Sequence, residues 1–121
     1  MKSESASCRV LIVDDEPLIR LSAVDVVQDA GFEALSAASR EQALAMLSET
    51  GDIDILFTDI RMAGEADGLE LAATVREKWP NVAIVLTSGH VNDIDADDGM
   101  LFLSKPYVPE ELARILKEAG G

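Results

Sequence analysis

Residues 10–17 read Val-Leu-Ile-Val-Asp-Asp-Glu-Pro: four apolar residues in a row, three acids, then a proline. An unbroken apolar run of this length fits a strand covered on both faces, as in a parallel sheet. Pro17 fits the first turn of a helix, with Asp15 or Glu16 as its cap. The stretch therefore reads as strand, acidic turn, helix. Three further apolar runs end in polar residues. Ile53 to Thr58, broken only by Asp54, runs into Asp59, and Val82 to Leu86 ends at Thr87. Leu101-Phe102-Leu103-Ser104 leads to Lys105-Pro106. As neighbouring parallel strands, all four would bring their polar ends to the carboxyl edge of one sheet, where open α/β sheets place ligands.

The segments between them carry helical signals. Leu18, Leu21, Val24 or Asp25, and Val27 or Gln28 make a mixed face that Gly31 ends. Phe32 to Ala37 reads as a second, weaker strand, and Ser39 can cap a helix with the stripe Ala43, Leu44, Met46 and Leu47. A loop with Gly64 and Gly68 follows Asp59; Leu69, Leu71, Ala72, Val75 and Trp79 then mark a third helix stopped by Pro80. Residues 108–119 make a closing helix with Leu112, Ile115 and Leu116 facing in and Pro109 in its first turn. Between Thr87 and the last strand, residues 90–99 hold four mutually repelling aspartates and little apolar surface. A short or frayed fourth helix is predicted there. The alternation predicts an α/β fold, a doubly wound five-stranded parallel sheet with right-handed crossovers. Strand order 2-1-3-4-5, flavodoxin-like, puts the switch point between the strands ending in Asp14-Asp15 and Asp59.

Composition narrows the function. At 121 residues and 48% apolar, the chain suits one domain with a real core, expected at residues 9–119 behind a polar tail at 1–8. A net charge of −13 argues against non-specific binding to nucleic acid or an anionic membrane. The single cysteine, Cys8, excludes an internal disulfide and suits a reducing cytosol; it reads as a strand-edge residue. The first seven residues are polar with no signal-peptide core behind them, and no apolar run approaches membrane-spanning length. A cytoplasmic protein is expected.

Asp14, Asp15 and Asp59 would share a crevice with Thr87 and Lys105. Two carboxylates 4 Å apart repel by about 4 kcal/mol at an effective dielectric near 20. Such a cluster calls for a divalent cation, and oxygen-only ligands point to Mg²⁺. Residues VLIVDDEP at 10–17, LFTDIRM at 56–62, DGLEL at 67–71, VLTSG at 85–89 and FLSKP at 102–106 occur in this order with compatible spacing. In these motifs the chain resembles the receiver domain of bacterial two-component response regulators, from Val10 to about Lys117.

The resemblance implies that Asp59 is the phosphoacceptor, taking a phosphoryl group from the phosphohistidine of a histidine kinase or phosphotransfer protein. It implies Mg²⁺ held by Asp15, Asp59 and the Arg61 carbonyl, with Asp14 assisting through a water. Lys105 and Thr87 would contact phosphoryl oxygens, across a Lys105–Pro106 peptide that is commonly cis in this family. Thr87 and the aromatic Phe102 would form the switch, although phenylalanine lacks the hydroxyl of the tyrosine found in many relatives. The implied role is a phosphoacceptor signalling domain, not an enzyme, with self-catalysed phosphotransfer and autodephosphorylation. A stand-alone regulator is expected, passing its signal to a downstream protein target by contact or by phosphorelay. In related proteins the first helix docks the kinase, which makes Leu18, Leu21, Ser22 and Asp25 docking candidates.

Two departures stand out. The usual Met-Pro after the phosphoacceptor is here Met62-Ala63-Gly64, and the acidic segment 91–99 is short for the family's fourth helix. That segment resembles the start of a calcium-binding EF-hand loop, but Asp98 stands where glycine is needed and Ser104 where glutamate is needed. A solvated acidic loop is the better reading, and His90 reads as solvent-facing. A Mg²⁺-dependent phosphohydrolase would show Asp-x-Asp on one strand, whereas Arg61 stands two after Asp59, and the length leaves no cap domain. A phosphorylation-independent binding module would not need the complete set of site residues.

Overall fold

The structure is a computed structural model that describes residues 8–62, 67–89 and 100–120. Its strands are β1 (Arg9–Val13), β2 (Glu33–Ala37), β3 (Ile55–Asp59), β4 (Ala83–Ser88) and β5 (Met100–Ser104). Its helices among the described residues are α1 (Pro17–Asp29), α2 (Arg40–Thr50), α3 (Asp67–Lys78) and α4 (Pro109–Gly120). All strand pairs are parallel and the sheet order is β2-β1-β3-β4-β5, as the alternation predicts.

Strand periodicity divides the core in two. Leu11 and Val13 face α2 and α3, where they pack with Ala43, Leu47, Leu71 and Val75. Val10 and Ile12 face the other way, onto Ala23 and Val27 of α1 and Leu112 and Leu116 of α4. Side chains alternate across a strand, so β1 must be apolar at every position to serve both layers. Val10, Leu11, Ile12 and Val13 are accordingly all buried.

Local signals fix the helix ends. Ser39 Oγ accepts the Gln42 amide at 3.1 Å, while Gln42 Oε1 accepts the Ala38 amide at 2.7 Å, a reciprocal cap on α2. Gly51 closes α2 in the left-handed region, at φ 74°. At α1, Glu16 occupies the cap position without a side-chain cap bond; its amide instead donates to Asp14 Oδ1 at 2.9 Å.

Two expectations need correction. Of the mixed face predicted for α1, Val27 alone is buried, together with Ala23 outside it, while Leu18 is 81% and Leu21 61% exposed. With apolar residues at 18, 19, 21, 23, 24, 26 and 27, periodicity cannot single out one face of this helix. Gly68 also lies not in a loop but in the first turn of α3. The fourth helix predicted over 91–99, the acidic segment within it and His90 lie outside the described residues. Among the described residues no helix is long and apolar enough to cross a membrane.

Candidate functional site

Parallel register brings the polar strand ends to one level. Val13 stands opposite Thr58, Asp59 opposite Thr87, and Ser88 opposite Ser104. The residue that continues each strand is then pinned by a backbone bond. Asp14 N–H donates to the Ala37 carbonyl at 3.2 Å, Ile60 N–H to Thr87 at 2.9 Å, and Lys105 N–H to Ser88 at 3.0 Å.

Of the side chains predicted to share a crevice, Asp14, Asp15, Asp59 and Lys105 meet. One carboxylate oxygen from each of Asp14, Asp15 and Asp59 falls in a group whose members lie within 4.8 Å of one another. Asp14 is 4% and Asp59 9% exposed, while Asp15 opens to solvent. Lys105 Nζ donates to Asp59 Oδ2 at 2.9 Å and lies 3.8 Å from Asp14 Oδ2. The Lys105–Pro106 peptide is cis. Asp59 Oδ1 accepts the Arg61 amide over a long 3.4 Å. Lys105 thus sits as one ammonium between two of these carboxylates.

Asp14 is perturbed by its surroundings. Burial raises its pKa above the ordinary carboxylate value, and the charges of Asp59 and Asp15 add to the rise. The Glu16 amide and the Lys105 ammonium oppose it without cancelling it. The donors are all oxygens, two of the carboxylates are largely withdrawn from water, and the third faces solvent. This set fits Mg²⁺, which prefers carboxylate oxygens and keeps several of its waters.

Thr87 and Phe102 take separate places. Thr87 is 2% exposed, and its Oγ1 has no hydrogen-bond partner among the described residues. A buried hydroxyl left unpaired costs roughly 1–3 kcal/mol, which makes this position exceptional. Phe102 is opposite Leu86, one residue before Thr87, and is partly buried against the α2–α3 side of the core.

Three residues beyond those predicted also shape the site. A Cβ built on Gly68 would overlap the Asp59 carbonyl oxygen and lie 2.7 Å from Ile60 Cα, so α3 meets the end of β3 backbone to backbone. The Gly68 amide donates to the Ile60 carbonyl at 2.9 Å. Tyr107 sets its ring edge-on to Phe57, with centroids 5.9 Å apart. Burial, then the negative charges of Asp14 and Asp59, push its phenol up to about 12. Arg20 donates from Nη1 to the Asp14 carbonyl at 2.8 Å. The motif at 67–71 contains Gly68, yet only the fold reveals which backbone it touches. Nothing in the spacing marked Tyr107 or Arg20.

Gly68→Ala is expected to push α3 away from β3, lowering stability by about 1–3 kcal/mol in urea unfolding, the range for overpacking. The same variant should weaken divalent-cation binding measured by calorimetry, because Asp59 carries the displaced carbonyl. Asp14→Asn keeps an acceptor for the Glu16 amide and removes a buried charge. A carboxylate whose pKa is raised on folding favours the folded state below its ordinary pKa and loses that contribution as pH rises through the folded value. Without metal, Asp14→Asn should therefore melt higher than the parent near pH 7, and the difference should vanish below about pH 4, where both states of the parent are protonated.

The model of the response regulator receiver domain matches residues 10–117. Sensor kinase CckA of Brucella abortus is 34% identical over 120 residues, covering 94% of this chain and 13% of that protein. The transcriptional regulatory protein AruR of Pseudomonas aeruginosa is 35% identical over 86% of this chain, and the chain spans 46% of its length. The chain thus spans less than half of either relative. Among solved structures, TrrA of Thermotoga maritima in complex with Mg²⁺ and BeF aligns with a TM-score of 0.82 and 30% identity, over 93% of this chain and 98% of that one.

Proposed function

Because the chain belongs to the response regulator receiver family, we propose that Asp59 accepts a phosphoryl group from a histidine kinase or phosphotransfer protein. The observation that carries this reading is the meeting of Asp14, Asp15, Asp59 and Lys105 beside the unpaired Thr87 hydroxyl. Asp14, Asp15 and Asp59, with the Arg61 carbonyl, would hold Mg²⁺. When bound, the ion supplies positive charge to the phosphoryl oxygens, the main requirement of phosphoryl transfer.

The chain's own groups do the rest. An Asp59 carboxylate oxygen attacks phosphorus in line; the new O–P bond forms as the P–N bond of phosphohistidine breaks, and its electron pair leaves with the imidazole. Lys105 now binds Asp59 Oδ2. Once that carboxylate becomes an acyl phosphate, the stronger charge lies on the phosphoryl oxygens, and the ammonium follows it. Thr87 Oγ1 gains an acceptor in the same step. Phe102, opposite Leu86 beside Thr87, would carry the change to the β4–β5 edge. Water later hydrolyses the acyl phosphate and resets the site.

The partner's approach is supported by the exposed side of α1. Leu18, Ile19 and Ser22 line a groove of about 680 Å³ whose opposite wall is Lys105, Pro106 and Tyr107. An apolar groove beside the acceptor suits the helical surface of a phosphohistidine donor. The signal then leaves by protein contact or by onward transfer.

Incubation with a small-molecule phosphodonor and Mg²⁺, read by intact mass, tests the central step. One phosphate adduct is expected, dependent on Mg²⁺ and absent from Asp59→Asn. An adduct that persists in that variant, or steady turnover of phosphate esters, would contradict the assignment.

A further inference from the structure

Asp14 is held at three of its polar atoms. Its amide donates to Ala37 at the end of the β1–β2 pairing, and its Oδ1 accepts the Glu16 amide at 2.9 Å. Its carbonyl, beyond the last paired residue of β1, accepts Arg20 Nη1 at 2.8 Å. The remaining oxygen, Oδ2, is the one 3.8 Å from Lys105 Nζ. Because a peptide unit is planar, fixing the Asp14 carbonyl also fixes the Asp15 amide and the direction in which the chain enters Asp15.

Arg20 is well placed for this. Its own amide bonds the Glu16 carbonyl at 2.9 Å, which sets it one helical turn into α1. Helical side chains lean toward the helix N-terminus, so a long side chain here reaches back over the turn that precedes the helix. A charge-assisted bond to a carbonyl is stronger than a neutral one, and the rigid guanidinium directs it.

We propose that Arg20 is a positioning residue for the cation site: by clamping the Asp14–Asp15 peptide it aims both carboxylates at the space they share with Asp59. The inference rests on the reading of those three carboxylates as a divalent-cation site. It makes a prediction opposite in sign to the effect of charge alone. A guanidinium near a cation site repels the cation, so its removal should tighten binding if charge were all that mattered. Loss of a clamp should weaken it.

Mn²⁺ serves as the probe, its free concentration read by electron paramagnetic resonance, on the parent, Arg20→Ala and Arg20→Lys, with circular dichroism to establish folding. The parent should bind one Mn²⁺; Arg20→Ala should bind about tenfold more weakly, as is usual when a group supporting a metal ligand is lost. Arg20→Lys, which keeps the charge but not the fork, should fall between them. If Arg20→Ala does not fold, weaker binding by folded Arg20→Lys supports the clamp. Unchanged or tighter binding in the folded variants would overturn it, even with a lowered melting temperature, since that pattern marks a merely structural bond. A parent that binds no Mn²⁺ would overturn the cation site itself and the clamp with it.

Discussion

Like charges held close together at the end of a sheet are the constraint around which the rest of this molecule is organised. Asp14, Asp15 and Asp59 bring carboxylate oxygens within 4.8 Å of each other, two of them nearly out of water. Repulsion of that kind costs several kcal/mol if nothing opposes it. Among the described residues the opposition includes the Lys105 ammonium, the backbone amides of Glu16 and Arg61, and the exposure of Asp15. Burial, the largest influence on Asp14, leaves its pKa raised despite the Glu16 amide and the Lys105 ammonium. Such a site favours any ligand that adds positive charge, and a ligand at 100 times its dissociation constant adds about 2.7 kcal/mol to folding. A cation bound there would couple to stability through the same few atoms.

The fold makes this crowding possible by anchoring each group from behind. Both layers of the core grip β1 and β3, whose side chains are buried on alternate faces. Their ends therefore have little freedom, and the register places Asp59 directly beside Thr87. Gly68 lets α3 close onto the Asp59 carbonyl, and Arg20 reaches back from α1 to the Asp14 carbonyl. Both of these helix contacts fall on backbone atoms and not on the carboxylates.

Much of this was legible in the sequence, because the chemistry sits at strand ends and the strands are uninterrupted apolar runs. The runs at 10–13 and 82–86 located β1 and β4 to within a residue or two, and parallel pairing then brought Asp14, Asp59, Thr87 and Lys105 together. Ser39 marked the start of α2 because its capping role is local, whereas residues 48–50, read as part of a turn, continue the helix to Thr50. The face of α1 was not legible: its apolar residues lie nearly all round, and only contact with the sheet and α4 selects Ala23 and Val27. The contacts of Gly68, Tyr107 and Arg20 were hidden for a related reason. Each depends on a partner distant in the fold or on a side-chain reach that periodicity does not encode.

A crystal structure of this chain grown with Mg²⁺ and a beryllium fluoride, a phosphoryl mimic, tests the central claim most directly. Beryllium should be bonded to an Asp59 carboxylate oxygen, with the cation in contact with Asp59 and the acids of the β1–α1 turn. Lys105 Nζ should have left Asp59 Oδ2 for a fluorine, and Thr87 Oγ1 should have gained a partner. A cation or fluoride bound elsewhere, with Lys105 still on Asp59 and Thr87 unmoved, would contradict the reading of this edge as a phosphoryl-accepting site.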